Sequence, residues 1–399
     1  MNIVEEKRAH LFWGFLFLFV IVTASMGVLG QRCLFFWSGD YLGNDFFNVM
    51  RYIAERDPYN NTINGVQEKL YLPLSYMLLY PFTYLVDYTQ LSLEDCWINT
   101  TCLVSYACFT ILSLILWALS IVKLLDKYKI PRSYTLLLIF TSIFFYSIER
   151  GNLIVIAAAL VNFYICYYDS NDKIKKSFAL ICISIASVLK IFPAALILLT
   201  IRRKEYKFFI TYVIVSALLS FLPFLFFKGG FDNFALMIRN VSMQTEQTSI
   251  LVSPYKYGLS GLCCNAFSFL KMTPNMAVIK IVNYCILVAS VVAVFAGSKK
   301  YILALVLCIP AVFQLQAFAY NAIYILPTIL IMMYYFKGKE QLWYLALFFV
   351  LSQPIQIVYH NFSFSYFFSN CALVAFWIST IYLSIKNRNN EESDRFLLI

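Results

Sequence analysis

Charge is scarce in this 399-residue chain. Asp, Glu, Lys and Arg together make up 13% of it, about half the share of a soluble domain. A water-soluble globule, a disordered chain and a small disulfide scaffold are therefore excluded. Only two His are present, which excludes a His-rich metal centre. No Gly-rich loop is placed to cradle a nucleotide phosphate, and no carboxylate cluster points to an obligatory metal. No cofactor is called for. What the chain has in abundance is apolar surface: 61% hydrophobic residues, with 38 Phe and 29 Tyr. The composition is that of an integral membrane protein.

A membrane helix needs about 20 apolar residues. Clear apolar segments lie near 11–30, 101–122, 134–148, 152–168, 208–227, 277–297, 301–318, 320–336, 341–358 and 365–385, while 71–88 and 177–201 are ambiguous. The first segment lacks a small-residue cleavage site and reads as a retained helix rather than a signal peptide. Charge resolves the ambiguous pair. If 71–88 lies on the outer surface and 177–201 folds as a hairpin of two short helices, the cytosolic loops hold 20 of the 31 basic residues and 10 of the 21 acidic ones. The whole +10 net charge then falls inside. If both stretches cross once, only 14 basic residues are inside. Positive-inside bias favours the hairpin. The basic excess is thus a topology signal, and nucleic acid is not an expected partner. The expected architecture is all-α and polytopic. It has about twelve membrane helices, both termini in the cytosol, and two long outer segments at about 31–100 and 228–276. No inverted-repeat symmetry of the transporter kind is visible.

Most of the eleven cysteines fall in apolar helices, where Cys behaves as a small hydrophobe. Cys33, Cys96, Cys102, Cys263 and Cys264 are placed at or near the outer face, where a disulfide is chemically allowed.

The first outer segment holds the first chemical candidates. Residues 45–56 have helical character, with Phe46, Val49 and Ile53 on one face and Asp45, Asn48, Arg51 and Glu55 mostly elsewhere. That pattern suits a short amphipathic helix on the membrane surface, with Asn44 as its cap and Asp45 in its first turn. A carboxylate held at the surface beside an apolar groove can take a proton from a sugar hydroxyl. Asp40 is the second candidate, ranked lower because it lies outside the amphipathic stretch. Tyr71-Leu72-Pro73-Leu74 then opens 71–88, whose Pro81 and tyrosines suit an interfacial helix. Two cations sit deep in the pattern. Arg150 occupies the turn Glu149-Arg150-Gly151-Asn152, and Lys190 occupies the tip of the 177–201 hairpin. A lysine within the membrane is costly and marks a functional site by default. No core helix offers an acidic partner, so an anionic ligand is the expected counter-ion of Lys190. His360, near the outer face in a late loop, is read as structural.

The order Asp45-Phe46, then Asp57-Pro58-Tyr59, then Tyr71-Leu72-Pro73-Leu74 resembles glycosyltransferase family 87, the polyprenol-phosphate-mannose-dependent mannosyltransferases of the GT-C class. Gly151-Asn152 and Lys190-x-x-Pro193 followed by Arg202-Arg203 resemble further motifs of that family. The matches cover about residues 35–205. The C-terminal half departs from it: some members carry Trp-x-His-His ahead of a Leu-Pro, where this chain has Phe318-Ala319-Tyr320-Asn321 ahead of Leu326-Pro327. The resemblance implies a single GT-C membrane domain over 1–399, with 45–56 and 71–88 as two outer-face juxtamembrane helices. It implies Asp45 as catalytic base and a lipid-phosphate site at Lys190 and Arg150. Asp40, Tyr59, Tyr71, Asn152, Tyr320 and Asn321 are candidate substrate contacts.

The function so implied is transfer of a sugar, mannose foremost, from a polyprenyl-phosphate donor to a glycolipid or lipid-linked glycan acceptor, with inversion. The implied setting is the bacterial plasma membrane, with the active site on the outer face. Two other classes share the size and helix count. A lipid-linked saccharide flippase or polymerase would show several intramembrane basic residues along a pathway, and the sequence offers one. A secondary transporter would show broken helices in symmetric positions, and only 177–201 qualifies.

Overall fold

The computed structural model describes residues 42–60, 69–246, 256–273, 275–298, 301–312, 319–352, 358–359 and 362–387, with Gly14, Phe17 and Ile21 as isolated positions. The rest of the first apolar segment, Cys33, Asp40, Phe318 and His360 lie outside the described residues. The described residues are mostly helical. In order the helices are α1 (Asn44–Ile53), α2 (Pro73–Leu79), α3 (Leu93–Ile98), α4 (Thr100–Lys127), α5 (Thr135–Ile139) and α6 (Ser142–Glu149). They continue with α7 (Ile154–Tyr167), α8 (Lys173–Leu189), α9 (Ile197–Arg202), α10 (Tyr206–Phe221), α11 (Asp232–Glu246) and α12 (Gly258–Phe269). The last are α13 (Met276–Ala296), α14 (Ile302–Val312), α15 (Leu326–Tyr335), α16 (Gly338–Ser352) and α17 (Phe364–Lys386). A two-residue pairing, Val358–Tyr359 against Phe362–Ser363, precedes α17.

Among the described residues, four helices are long and apolar enough to cross a membrane: Thr100–Lys127, Tyr206–Phe226, Met276–Ala296 and Phe364–Lys386. At 28 residues the first reaches about 42 Å, beyond the hydrocarbon thickness. The described stretches 134–148 and 320–336 do not form single long helices, and the count of about twelve spans is not confirmed. The reasons are local. The stretch 134–148 divides at Phe140 and Thr141, because the Thr141 hydroxyl accepts the Phe144 N–H (3.2 Å) and so starts α6 afresh. The stretch 320–336 opens as a 3-10 turn, Ala319–Tyr324, and becomes α-helical only at Leu326, with Pro327 in its first turn.

The stretch 177–201 breaks where the charge pattern asks it to. Helix α8 ends at Leu189, Lys190 is extended (φ −145°, ψ 115°), and Phe192–Leu196 is a 3-10 turn leading into α9. The two ends of the excursion meet: Lys176 Nζ lies 2.8 Å from Glu205 Oε2. The chain therefore leaves and returns on one face. Other contacts gather the lysine-rich turns on that face. Lys127 pairs with Asp169 at 2.9 Å. The Arg203 guanidinium lies 5.4 Å from the Tyr168 ring centre. The Tyr335 hydroxyl donates to the Tyr128 carbonyl, and Arg202 donates to the Gly297 carbonyl (2.7 Å).

The opposite end is built from 42–58, 71–98, 148–153 and 226–240, with Lys190 reaching up into it. Aromatic rings hold it together: Phe46, Phe47, Tyr76, Phe109 and Phe224 are all buried there, and Phe46 stacks on Phe109 with ring centres 5.0 Å apart. Here the structure corrects the picture of a surface helix. Every residue of α1 from Asp45 to Ile53 is buried. Its polar side chains are enclosed because partners distant in sequence satisfy them. Arg51 donates to the Leu91 carbonyl (2.9 Å), and its guanidinium also reaches Asn48 Oδ1 (3.4 Å). The cap differs as well. Gly43, not Asn44, is the N-cap, and Asn44 Oδ1 instead accepts from Asn48 Nδ2 (3.0 Å).

Candidate functional site around Asp45

Two tight turns are pressed together to make the site. Gly43 and Gly151 both adopt positive φ, +64° and +65°, a conformation that favours glycine. A Cβ on Gly151 would lie 2.7 Å from the Cβ of Phe46, so that position also needs glycine for space. The absence of side chains lets the backbones pair. Gly43 N–H donates to the Glu149 carbonyl (2.6 Å), and Asp45 N–H donates to the Arg150 carbonyl (2.9 Å). The Tyr106 hydroxyl, from α4, donates to the carbonyl of Ile148 at 2.7 Å. Trp97 Nε1 donates to the Leu42 carbonyl (2.9 Å), tying α3 to the entry of α1.

That pairing sets Asp45 against the 149–152 turn. Its carboxylate is 6% exposed. Oδ1 accepts from Arg150, through Nε at 3.0 Å and through a second guanidinium nitrogen. Oδ2 accepts from Asn152 Nδ2 at 2.6 Å. Asn152 works twice, since its Oδ1 also accepts the N–H of Ile154, the first residue of α7 (2.9 Å). Burial opposes the Arg150 charge, but the adjacent Asp45 carboxylate outweighs it and holds the guanidinium well above its usual pKa. A carboxylate has about four lone-pair positions. Arg150 and Asn152 leave some of them for a third partner.

Lys190 stands beside this pair. Its ammonium lies 4.4 Å from the Tyr71 ring centre and 3.3 Å from the Tyr71 hydroxyl. The charges of Asp45 and Arg150 both act on it, yet among the described residues no carboxylate forms an ion pair with it. Tyr71 is positioned from behind by Tyr59, whose hydroxyl donates to the Tyr71 carbonyl (2.8 Å). Burial pushes the Tyr59 phenol well above its ordinary pKa, so it serves as a neutral donor. Tyr320, at the start of the late 3-10 turn, lies within the fields of Asp45, Arg150 and Tyr71. Asn321 beside it is buried.

Asp45, Arg150, Asn152, Lys190, Tyr71 and Tyr320, read from sequence as separate candidates, thus gather at one end of the molecule. Tyr59 serves behind them. Arg150, expected on a lipid phosphate, is engaged by Asp45. Two residues were missed. Tyr146 stacks on Tyr320 with ring centres 6.0 Å apart; its place four residues before Arg150 on one helical face was the available signal. Lys256, 3% exposed in the long 228–276 segment, is a further buried cation besides Arg51 and Lys69. Nothing in the composition around it set it apart. Among the described cysteines, Cys96, Cys102 and Cys263 are free thiols.

Long apolar helices around a buried, charged, tyrosine-lined cluster define a membrane protein with a polar site at one end. Over residues 70–260 the chain matches the model of glycosyltransferase family 87, the family that its motifs resemble, and that match supports a membrane glycosyltransferase. Arg150, Asn152 and Lys190 fall inside the match; Asp45 lies ahead of it and is joined to it by the bonds to Arg150 and Asn152. No curated protein and no solved structure matches the chain.

Proposed function

We propose that the chain transfers a sugar, mannose foremost, from a polyprenyl-phosphate sugar to the hydroxyl of a glycolipid or lipid-linked glycan, with inversion at the anomeric carbon. The setting is a GT-C-type arrangement of about twelve spans in the bacterial plasma membrane, as one domain over 1–399. The Asp45 end faces outward through the segments 31–100 and 228–276, and both termini and the lysine-rich end face the cytosol. The observation that carries the reading is the placing of a buried carboxylate, held by Arg150 and Asn152, near a lysine that has no carboxylate ion-pair partner among the described residues.

The chemistry follows from that placing. Asp45 takes the proton of the acceptor hydroxyl. The freed oxygen attacks the anomeric carbon from the side opposite the phosphate. The bond from that carbon to the phosphate oxygen breaks, and polyprenyl phosphate leaves with the electron pair. The phosphate gains negative charge as the bond breaks, and Lys190 is the cation that meets it. In a site of low dielectric that attraction is magnified. Arg150 and Asn152 are positioning residues. They hold the carboxylate in place and leave some of its lone pairs for the acceptor. Tyr71, Tyr146 and Tyr320 supply flat faces and hydroxyls suited to a sugar ring.

The test is incubation of purified protein with polyprenyl-phosphate mannose, glucose and arabinose in turn, with a glycolipid acceptor, following release of polyprenyl phosphate. Release that depends on both acceptor and sugar, fastest with mannose, is the expected result. No release with any donor overturns the donor class. Transport of labelled lipid-linked saccharide across a liposome bilayer without release would favour the flippase instead.

A further inference from the structure

The base of the 173–202 excursion carries a feature that sugar transfer does not use. A groove of about 840 Å³ lies between the starts of α8 and α10, lined by Lys173, Lys176, Lys204 and Lys207 together with Glu205, Leu180 and Phe208. Glu205 is committed to Lys176 at 2.8 Å and to Arg203 at 3.0 Å. Among the described residues none of Lys173, Lys204 and Lys207 has an ion-pair partner, so three ammonium groups face the groove uncompensated. Its floor is apolar, from Leu180 and Phe208. Below it, α8 and the membrane-length helix Tyr206–Phe226 expose Phe178, Ile181, Ile210, Val213 and Ile214, all more than 40% exposed.

We propose that this groove binds the headgroup of an anionic phospholipid. The three free ammonium groups complement a phosphodiester, and the apolar floor and exposed flank accept the glycerol ester and acyl chains. A free phosphate would use the lysines and leave that flank unexplained. A zwitterionic headgroup would bring its own cation against the lysines. The inference does not depend on the role of Asp45, since the groove is at the other end of α8 from Lys190.

Native mass spectrometry of the full chain in detergent tests it, with dioleoyl-phosphatidylglycerol titrated against dioleoyl-phosphatidylcholine. Phosphatidylglycerol should be retained more tightly. Lys173→Gln/Lys207→Gln should weaken it about tenfold, the scale of losing charge-assisted hydrogen bonds. Lys337→Gln/Lys339→Gln removes the same charge from the same face outside the groove and should change it less than about twofold, as surface charges do. Unchanged melting temperatures in both variants establish folding. If the groove variant melts, Lys207→Gln alone should give an intermediate loss. Equal retention of the two lipids overturns the proposal, as does an equal loss in both double variants. Displacement by soluble glycerol phosphate as effective as by the lipid would make the site one for free phosphate, and would also overturn it.

Discussion

The two ends of helix α8 carry lysines in opposite circumstances. At the tip, Lys190 is enclosed beside Tyr71, with Asp45 and Arg150 acting on it. At the base, Lys173 and Lys207 open onto a groove at the foot of an apolar helix. The residue type is the same, so composition alone cannot tell the ends apart. What separates them is enclosure. A charge shut away from water persists only if its partners justify the desolvation, and at the tip those partners make a site. At the base, water and lipid share the work, and individual charges matter less.

The comparison breaks first at Arg150. Arg150→Ala leaves the Asp45 carboxylate buried without its cation, which costs roughly 3–5 kcal/mol when one partner of a buried pair is removed. Its melting temperature should fall clearly, and the double variant Asp45→Ala/Arg150→Ala should melt closer to wild type than the single. Equal melting of single and wild type would mean that the pair is solvated. Lys190→Ala comes next. Loss of a charge-assisted hydrogen bond to the donor phosphate weakens binding of a non-transferable polyprenyl-phosphate analogue about tenfold or more. Lys190→Arg should keep part of the affinity. Equal affinities in a folded variant would assign the phosphate to another group. The mildest test only reads sidedness. Cysteines introduced at Ile174 and Ile98, 81% and 80% exposed, should react with an impermeant maleimide from opposite sides of sealed vesicles, Ile98 from outside. Labelling of both from one side would sink the hairpin.

Charge counting predicts a return of 177–201 to its starting face, because loop lysines report topology through many weak terms that add. The Lys176–Glu205 contact is the geometric form of that sum. Lys190 and Asp45 were legible for a related reason, since an ion in an apolar context is anomalous wherever it stands. The pairing of Asp45 with Arg150 was not legible. It joins residues 105 apart, and periodicity sees only neighbours on one helix. For the same reason α1 reads as a surface helix: its polar face is sequence-visible, whereas the Leu91 carbonyl that encloses Arg51 is not. The broken helices escaped as well. At Phe140–Thr141 no proline or glycine announces the division, and a single hydroxyl cap makes it.

The central claim is that the Asp45 end does chemistry, and Asp45→Asn tests it most directly. The amide keeps the size and a hydrogen-bonding oxygen but cannot accept the acceptor's proton. Turnover of polyprenyl-phosphate mannose should fall at least about a hundredfold, the scale of losing a general base, while binding of the non-transferable donor analogue to the same folded sample stays near wild type and Asp40→Asn does far less. Near-normal turnover in Asp45→Asn, with Asp40→Asn inactive, would contradict the account.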